Sequence, residues 1–186
     1  DVSHRGVVTV RGADRLSWLD SMTTQAMAKL SPGRSIETLL LSPQGRIEHP
    51  MRVVDDGETT WLLVDPGHAE PLAAFLNRMR FALRVEVANE SEAYAQIAAF
   101  PGEALDLMRS LSTIAEWEDP WQDVQPGGHQ YANEFTATWN LSTLVIPRET
   151  LEEVRALVTS GRVRAAGISA LDAVEIRAWR VGAQEI

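Results

Sequence analysis

The chain has 186 residues, 45% of them hydrophobic, and a formal net charge of −9 from 17 Lys and Arg against 26 Asp and Glu. That is enough apolar mass for one large domain or two small ones, and an acidic balance without a basic cluster argues against nucleic acid held through its phosphates. With no cysteine in the sequence, disulfides, thiolate catalysis, zinc–thiolate sites and cysteine-ligated iron–sulfur clusters are excluded within this chain.

Residues 6–11, "GVVTVR", suit a strand, and "GADRLSWLDSMTTQAMAKL" brings Leu16, Leu19, Met22 and Leu30 near helical spacing, with Asp14 placed to cap the first turn. "SPGR" breaks that helix. "LLLSPQGRIEHPMRV", residues 39–53, then reads as two strands over a reverse turn at Ser42, Pro43, Gln44 and Gly45. Its second arm carries Pro50, which has no N–H for a ladder and so marks an edge, a bulge or an opening in the sheet. "DDGE" turns the chain into "TTWLLV". Leu72, Phe75, Leu76 and Met79 then give a helix its apolar stripe, and "ALRVEVA" alternates as a strand. The order β-α-β-β-β-α-β is a ferredoxin-like arrangement with one added strand, a first α+β unit over residues 6–90.

A second α+β unit is expected over residues 91–186. "AYAQIAAF" reads as a strand and "PGEALDLMRSL" as a helix with Leu105, Met108 and Leu111 inward, while "AEWEDPWQDVQPGGHQYANEF" (115–135) is acidic, turn-rich and reads as a surface loop. "TWNLSTLVIP" follows as a strand. "ETLEEVRALVTSG" forms a helix burying Leu151, Val154 and Val158 and stopping at Gly161, and "SALDAVEIRAW" forms a last helix with Ser169 and Asp172 in capping-box spacing.

Few residues announce chemistry. His4, His49, His68 and His129 show none of the short spacings of a metal site, so no metal is expected. Lys29, the only lysine, lies outside any P-loop or Schiff-base context. Ser3 and Ser42 lack a nucleophile elbow, and the dinucleotide fingerprint is absent. Trp18, Trp61 and Trp139 lie inside expected elements and suit a core. The opening "DVSHRGVVTV" has no signal-peptide pattern and no run approaches about 18 apolar residues, so a cytoplasmic protein without membrane or nucleic-acid partners is the expectation.

Motifs add what composition does not. "DVSHRGVVTVRGADRLSWLDSMTTQ", "LSPGRSIETLLLSPQGRI" and "ISALDAVEIRAWRVGAQEI" resemble the folate-dependent aminomethyltransferases of the glycine cleavage system, the T-proteins, over most of the chain. The resemblance implies a T-protein-like α+β fold whose two units interlock with the N-terminal residues around a central cleft. In that family the hairpin reads Gly-Gly-x-x-Asp-Asp where this chain has Gly45, Arg46, Ile47, Glu48, His49 and Pro50, so the catalytic aspartate falls on Pro50. Loss of that aspartate is similar to the YgfZ-type folate-binding proteins, implicated in assembly or repair of iron–sulfur enzymes. Their Lys-Gly-Cys-Tyr-x-Gly-Gln motif is missing here and is expected beyond Ile186, with a C-terminal barrel.

The resemblance therefore implies tetrahydrofolate as the bound cofactor, iron–sulfur enzymes as partners, no catalytic residue of the aminomethyl-transfer kind, and folate contacts at Arg5, Glu37, Gln44, His49, Arg52 and Val54. Arg5 and Arg52 suit a folate glutamate tail or pterin carbonyl, and Glu37 a pterin amine; a salt-bridged rim is the other reading of the same charges. His49 replaces the neighbouring aspartate and is expected on the sheet face opposite Pro50. An aminomethyltransferase or demethylase using Glu48 or Glu37, and a scaffold that no longer binds folate, stand as alternatives.

Overall fold

Valines and a threonine fill the centre of β1 (Gly6–Arg11), where β-branched side chains suit a pleated strand covered on both faces. The structure is a computed structural model and describes residues 1–123, 139–178 and 180. From β1 the chain runs through α1 (Arg15–Met22), β2 (Ser35–Leu41), β3 (Ile47–Asp55), β4 (Thr59–Val64), α2 (Ala69–Met79) and β5 (Glu86–Asn89), the element order read from the sequence. These strands make one antiparallel sheet in the order β2-β3-β4-β1-β5, with β2 the added strand at its edge. β6 (Tyr94–Ala99), α3 (Glu103–Arg109), β7 (Ala115–Glu118), a 3-10 turn at Pro120–Asp123, β8 (Ser142–Pro147), α4 (Leu151–Thr159) and α5 (Ile168–Arg177) follow, with a second antiparallel sheet ordered β6-β8-β7.

The five-stranded sheet is sandwiched. One face, with Val8, Val10, Leu40, Met51, Val53 and Leu62, packs on α1 and α2 through Trp18, Leu19, Leu72 and Leu76. The opposite face presents Val7, Val54, Trp61 and Leu63 to Ala115, Trp117 and Val145 of the second sheet. Behind that sheet, Leu105, Met108 and Leu151 close a third cluster with Ile97, Leu144 and Ile146. The N-terminus lies along the second sheet, where the Val2 N–H donates to the Gln96 carbonyl at 2.9 Å. Trp18, Trp61 and Trp139 are all buried, as their place in the elements suggested.

A buried ion pair locks the base of the β3–β4 hairpin. Arg15 donates from Nε and Nη2 to the Asp55 carboxylate at 2.8 Å each, and the Thr60 hydroxyl donates to the same group at 2.6 Å. Asp55 is completely buried, so these donors replace the water it lost on folding.

Several local expectations give way to side-chain competition. α1 stops at Met22, well short of Leu30, because the Asp20 carboxylate accepts the N–H groups of Met27 and Ala28 at 2.6 and 3.0 Å and draws the chain into a turn. Asp14 does not cap α1; its carboxylate is taken by the guanidinium and N–H of Arg84. The segment expected to be loop from 115 opens as β7, because Ala115 and Trp117 alternate inward against the other sheet; residues 124–135 lie outside those described. Met79 is exposed instead of completing the α2 stripe, and Leu157 takes the core position expected of Val158. α5 begins after Gly167, so Ser169 sits inside the helix and makes no capping bond.

The turn holds as read: Gly45 adopts φ 79° and its N–H donates to the Ser42 carbonyl at 2.9 Å. Pro50 is explained by the ladder. It lies opposite Leu39, whose own N–H and carbonyl are engaged by Thr24 on the outer side, so Leu39 and Pro50 form a non-hydrogen-bonded pair. The Pro50 nitrogen therefore faces the β4 side, and β4 ends at Val64, opposite Met51. A missing donor there breaks no bond.

Candidate functional site

The face of β3 that carries Val54, and so packs toward the second sheet, also carries Arg52 and Pro50, since alternate residues share a face. Arg52 lies opposite Glu37 of β2, its guanidinium sits 5.8 Å from the Trp117 ring centre, and it pairs with Asp65 at 3.4 Å. Arg5, from the turn before β1, reaches Glu175 of α5 at 3.6 Å. Only 9% of its side chain is exposed; burial, and then repulsion from Arg52, pull its pKa below the ordinary guanidinium value. The structure thus brings Arg5, Arg52 and Asp65 into one electrostatic neighbourhood with Glu175.

Glu37 anchors the second part of the cluster. Its carboxylate accepts from Trp121 Nε1 at 2.7 Å and from Arg180 at 2.8 Å, and Arg180 also pairs with Asp119 at 3.0 Å while lying over the Trp121 ring. Asp119 is 1% exposed, and desolvation raises its pKa despite the Arg180 charge and the Trp121 N–H. Trp117 donates its indole N–H to the Ile36 carbonyl, which fixes the ring against β2. Opposite Trp117 in the ladder, and so on the same face, is Thr143; its hydroxyl is buried and has no hydrogen-bond partner among the described residues.

The other expected residues are placed elsewhere. Val54 is 2% exposed inside the core between the sheets, so it supports the cluster from below and offers no free surface. Gln44 is exposed at the hairpin tip, about 17 Å or more along the strand from Arg52 by strand rise. His49 lies on the helix-facing side, opposite to Pro50, with its Nδ1 3.0 Å from His68 Nδ1 at the start of α2 and the two rings edge to face. Burial, then the His68 charge, lower the His49 pKa, with Glu48 opposing. Two imidazoles distant in sequence are joined here, yet among the described residues no three His, Cys, Asp or Glu side chains gather as a metal-binding set. An open groove of about 650 Å³ lined by Asp20, Lys29, Leu30 and Arg34 lies by the α1–β2 connection, away from this cluster.

The hairpin, the whole five-stranded sheet, β7 and the side chains of Arg5, Glu37 and Arg52 lie within residues 1–133, which match the GCVT N-terminal domain model. The chain belongs to the GCVT N-terminal domain family. Among curated proteins it is 31% identical to an aminomethyltransferase of Moorella thermoacetica over 61% of this chain and 31% of that protein. It is 25% identical to an aminomethyltransferase of Thermus thermophilus over 96% of this chain and 53% of that protein. The chain therefore spans about half or less of the length of these relatives. Its fold is similar to the crystal structure of glycine cleavage system aminomethyltransferase T from Bartonella henselae, with a TM-score of 0.68 at 20% identity, covering 91% of this chain and 47% of that one.

The site members that sequence reading missed are Asp65, Trp117 and Trp121 within the GCVT-type segment and Thr143 and Arg180 beyond it. Asp65 follows β4 and enters only through the β3–β4 register, and Arg180 meets Glu37 across 143 residues of sequence. Trp117 had one usable signal, the apolar alternation of "AEWE". No helix among the described residues is long and apolar enough to cross a membrane.

Proposed function

We propose that this chain is the folate-binding part of a YgfZ-type relative of the T-proteins, a cytoplasmic accessory protein that holds tetrahydrofolate without transferring an aminomethyl group and serves iron–sulfur enzymes. The observation that carries the reading is Pro50, at the hairpin position where the T-protein motif has its catalytic aspartate. A proline offers no carboxylate to bond the folate nitrogen or to move its proton.

The donor set suits a reduced folate. Arg5 and Arg52 would take carboxylate or pterin carbonyl oxygens, Glu37 would accept from a pterin amine after exchanging Arg180, and the Trp117 and Trp121 rings offer flat apolar surface. The unpartnered Thr143 hydroxyl adds a buried polar contact facing the same space. Folate, when bound, supplies a ring nitrogen that carries one-carbon groups; the residues of this chain bind and orient it. Gln44 enters only if the hairpin arm folds over the ligand, His49 stays on the opposite face beside His68, and Val54 supports Arg52 from the core.

Binding is tested by calorimetry with tetrahydrofolate. Arg52→Ala and Arg5→Ala should each lose roughly 1.5–3 kcal/mol if they make charge-assisted bonds to the ligand. Unchanged affinity in both would leave the arginines as a salt-bridged rim. A second reading, an aminomethyltransferase or demethylase, is favoured by the names of the relatives and needs Glu48 or Glu37 as the carboxylate. Glu48 is exposed on the distal arm, while Glu37 is engaged by Arg180 and Trp121. An aminomethyl-transfer assay with lipoyl carrier should fall about 10²- to 10⁴-fold below a glycine-cleavage enzyme; ordinary turnover would establish the second reading instead.

A further inference from the structure

The connection from α2 to β5 combines three features that seldom share a loop. Residues 77–84 are all exposed, and Phe81 at 82%, Leu83 at 42% and Met79 at 38% present apolar side chains directly to solvent. Phe81 has φ +45°, the one positive φ outside glycine among the described residues, just after the end of α2, where glycine is the ordinary occupant. A large aromatic held in that conformation and touching so little of its own protein serves no packing purpose there.

The loop is nonetheless fixed in place. Leu83 N–H donates to the Arg80 carbonyl and Val85 N–H to the Leu83 carbonyl, each at 2.9 Å. Arg84 is tied to Asp14 through its N–H and guanidinium, and the absent side chain of Gly12, at φ +110°, makes room for the Arg84 carbonyl, which a Cβ would meet at 2.1 Å. Arg84 is thereby neutralised, whereas none of the described ion pairs involves Arg78 or Arg80. Arg78 lies over the Phe75 ring and Arg80 donates to the Val85 carbonyl at 3.5 Å, so two guanidiniums without a carboxylate partner among the described residues stand just before the exposed ring on a chain of net charge −9.

We propose that residues 78–84 are a docking loop whose anchor is Phe81 and whose partner is a protein presenting an apolar socket rimmed by carboxylates. Aromatic side chains, Met and Arg are the types enriched at the centres of protein interfaces, and a preordered loop loses little freedom on docking. A lipid surface fits less well, because the charge of the whole chain opposes an anionic bilayer while the loop exposes only a few apolar side chains. The inference does not depend on folate binding.

The test places the photo-reactive amino acid p-benzoylphenylalanine at Met79 of the full gene product in its native cell, identifies the adduct and purifies the captured protein. Its Kd should weaken at least about 30-fold with Phe81→Ala and at least about tenfold with Arg78→Glu plus Arg80→Glu, and should rise with salt in the unmutated chain. Phe81→Gly keeps the backbone conformation, so it should lose binding while melting at or above the temperature of the unmutated chain. The proposal is overturned by absence of a specific adduct, by an adduct internal to the chain, or by a captured protein whose Kd ignores Phe81. Clear destabilisation by Phe81→Gly would make the ring structural, and Phe81-dependent binding to phosphatidylcholine–phosphatidylglycerol vesicles would assign the loop to membranes; either result overturns it too.

Discussion

Met51–Asp55, the proximal half of β3, is bonded to β2 on one side and β4 on the other, and four of its five residues are buried; the distal half, Ile47–Pro50, has β2 alone and no buried residue. One strand thus serves as core in its second half and as an arm in its first. The change comes at Pro50, where β4 has ended, and the His49–His68 contact ties the arm to the helix layer. The cluster around Arg52 stands at the junction, with the buried floor of Val54 and Trp61 beneath it and an arm paired on one side only beside it.

The comparison is broken most severely at the proximal end. Asp55→Ala leaves the Arg15 guanidinium without its buried partner and should cost about 3–5 kcal/mol, read from the urea midpoint. A loss below about 1 kcal/mol would show that the hairpin base is not locked by this pair. Val53→Ala, at a completely buried position, should cost roughly 2–3 kcal/mol from two methyl groups and the cavity left behind.

The arm should respond instead to pH. A histidine whose folded pKa is lowered binds its proton more readily in the unfolded chain, so the stability from His49 is present above its unfolded value near 6.5 and is lost as pH falls below it. His4, lowered by burial and then by Arg5, acts in the same sense. Urea midpoints should therefore drop between pH 7.5 and 5.5, and His49→Gln should flatten part of that slope; an identical slope in the variant would detach His49 from the effect. The smallest change belongs to Ile47→Ala, 41% exposed on the distal half, which should stay within about 0.5 kcal/mol of the unmutated chain. A larger cost would mean that the arm is packed against something.

Elements fixed by local chemistry were legible in the sequence. The Ser42–Gly45 turn needs only its own residues, and the helical stripe of Leu72 and Leu76 repeats on its own period. What escaped depended on partners. α1 was overextended because no pattern reveals that Asp20 will bond Met27 and Ala28. β7 was too short for its alternation to stand out from an acidic, turn-rich segment. For the site, the family motif pointed to Arg5, Glu37 and Arg52, but the ion pairs that set their charge come from Glu175, Arg180 and Asp65. His49 and Val54 flank Pro50 and Arg52 in the sequence, yet one falls on the helix side and the other in the core, since a strand divides its neighbours between faces.

Pro50 has a further consequence for how copies of the chain meet in solution. Past Val64 no strand among the described residues pairs with the outer side of β3, and on such an edge each free N–H invites a strand from another molecule. At residue 50 there is no N–H to offer, and the ring occupies the space an incoming backbone would need. The proline thus guards the end of the sheet, and any substitution that returns a backbone N–H there, Pro50→Asp included, reopens a hydrogen-bonding position to foreign strands.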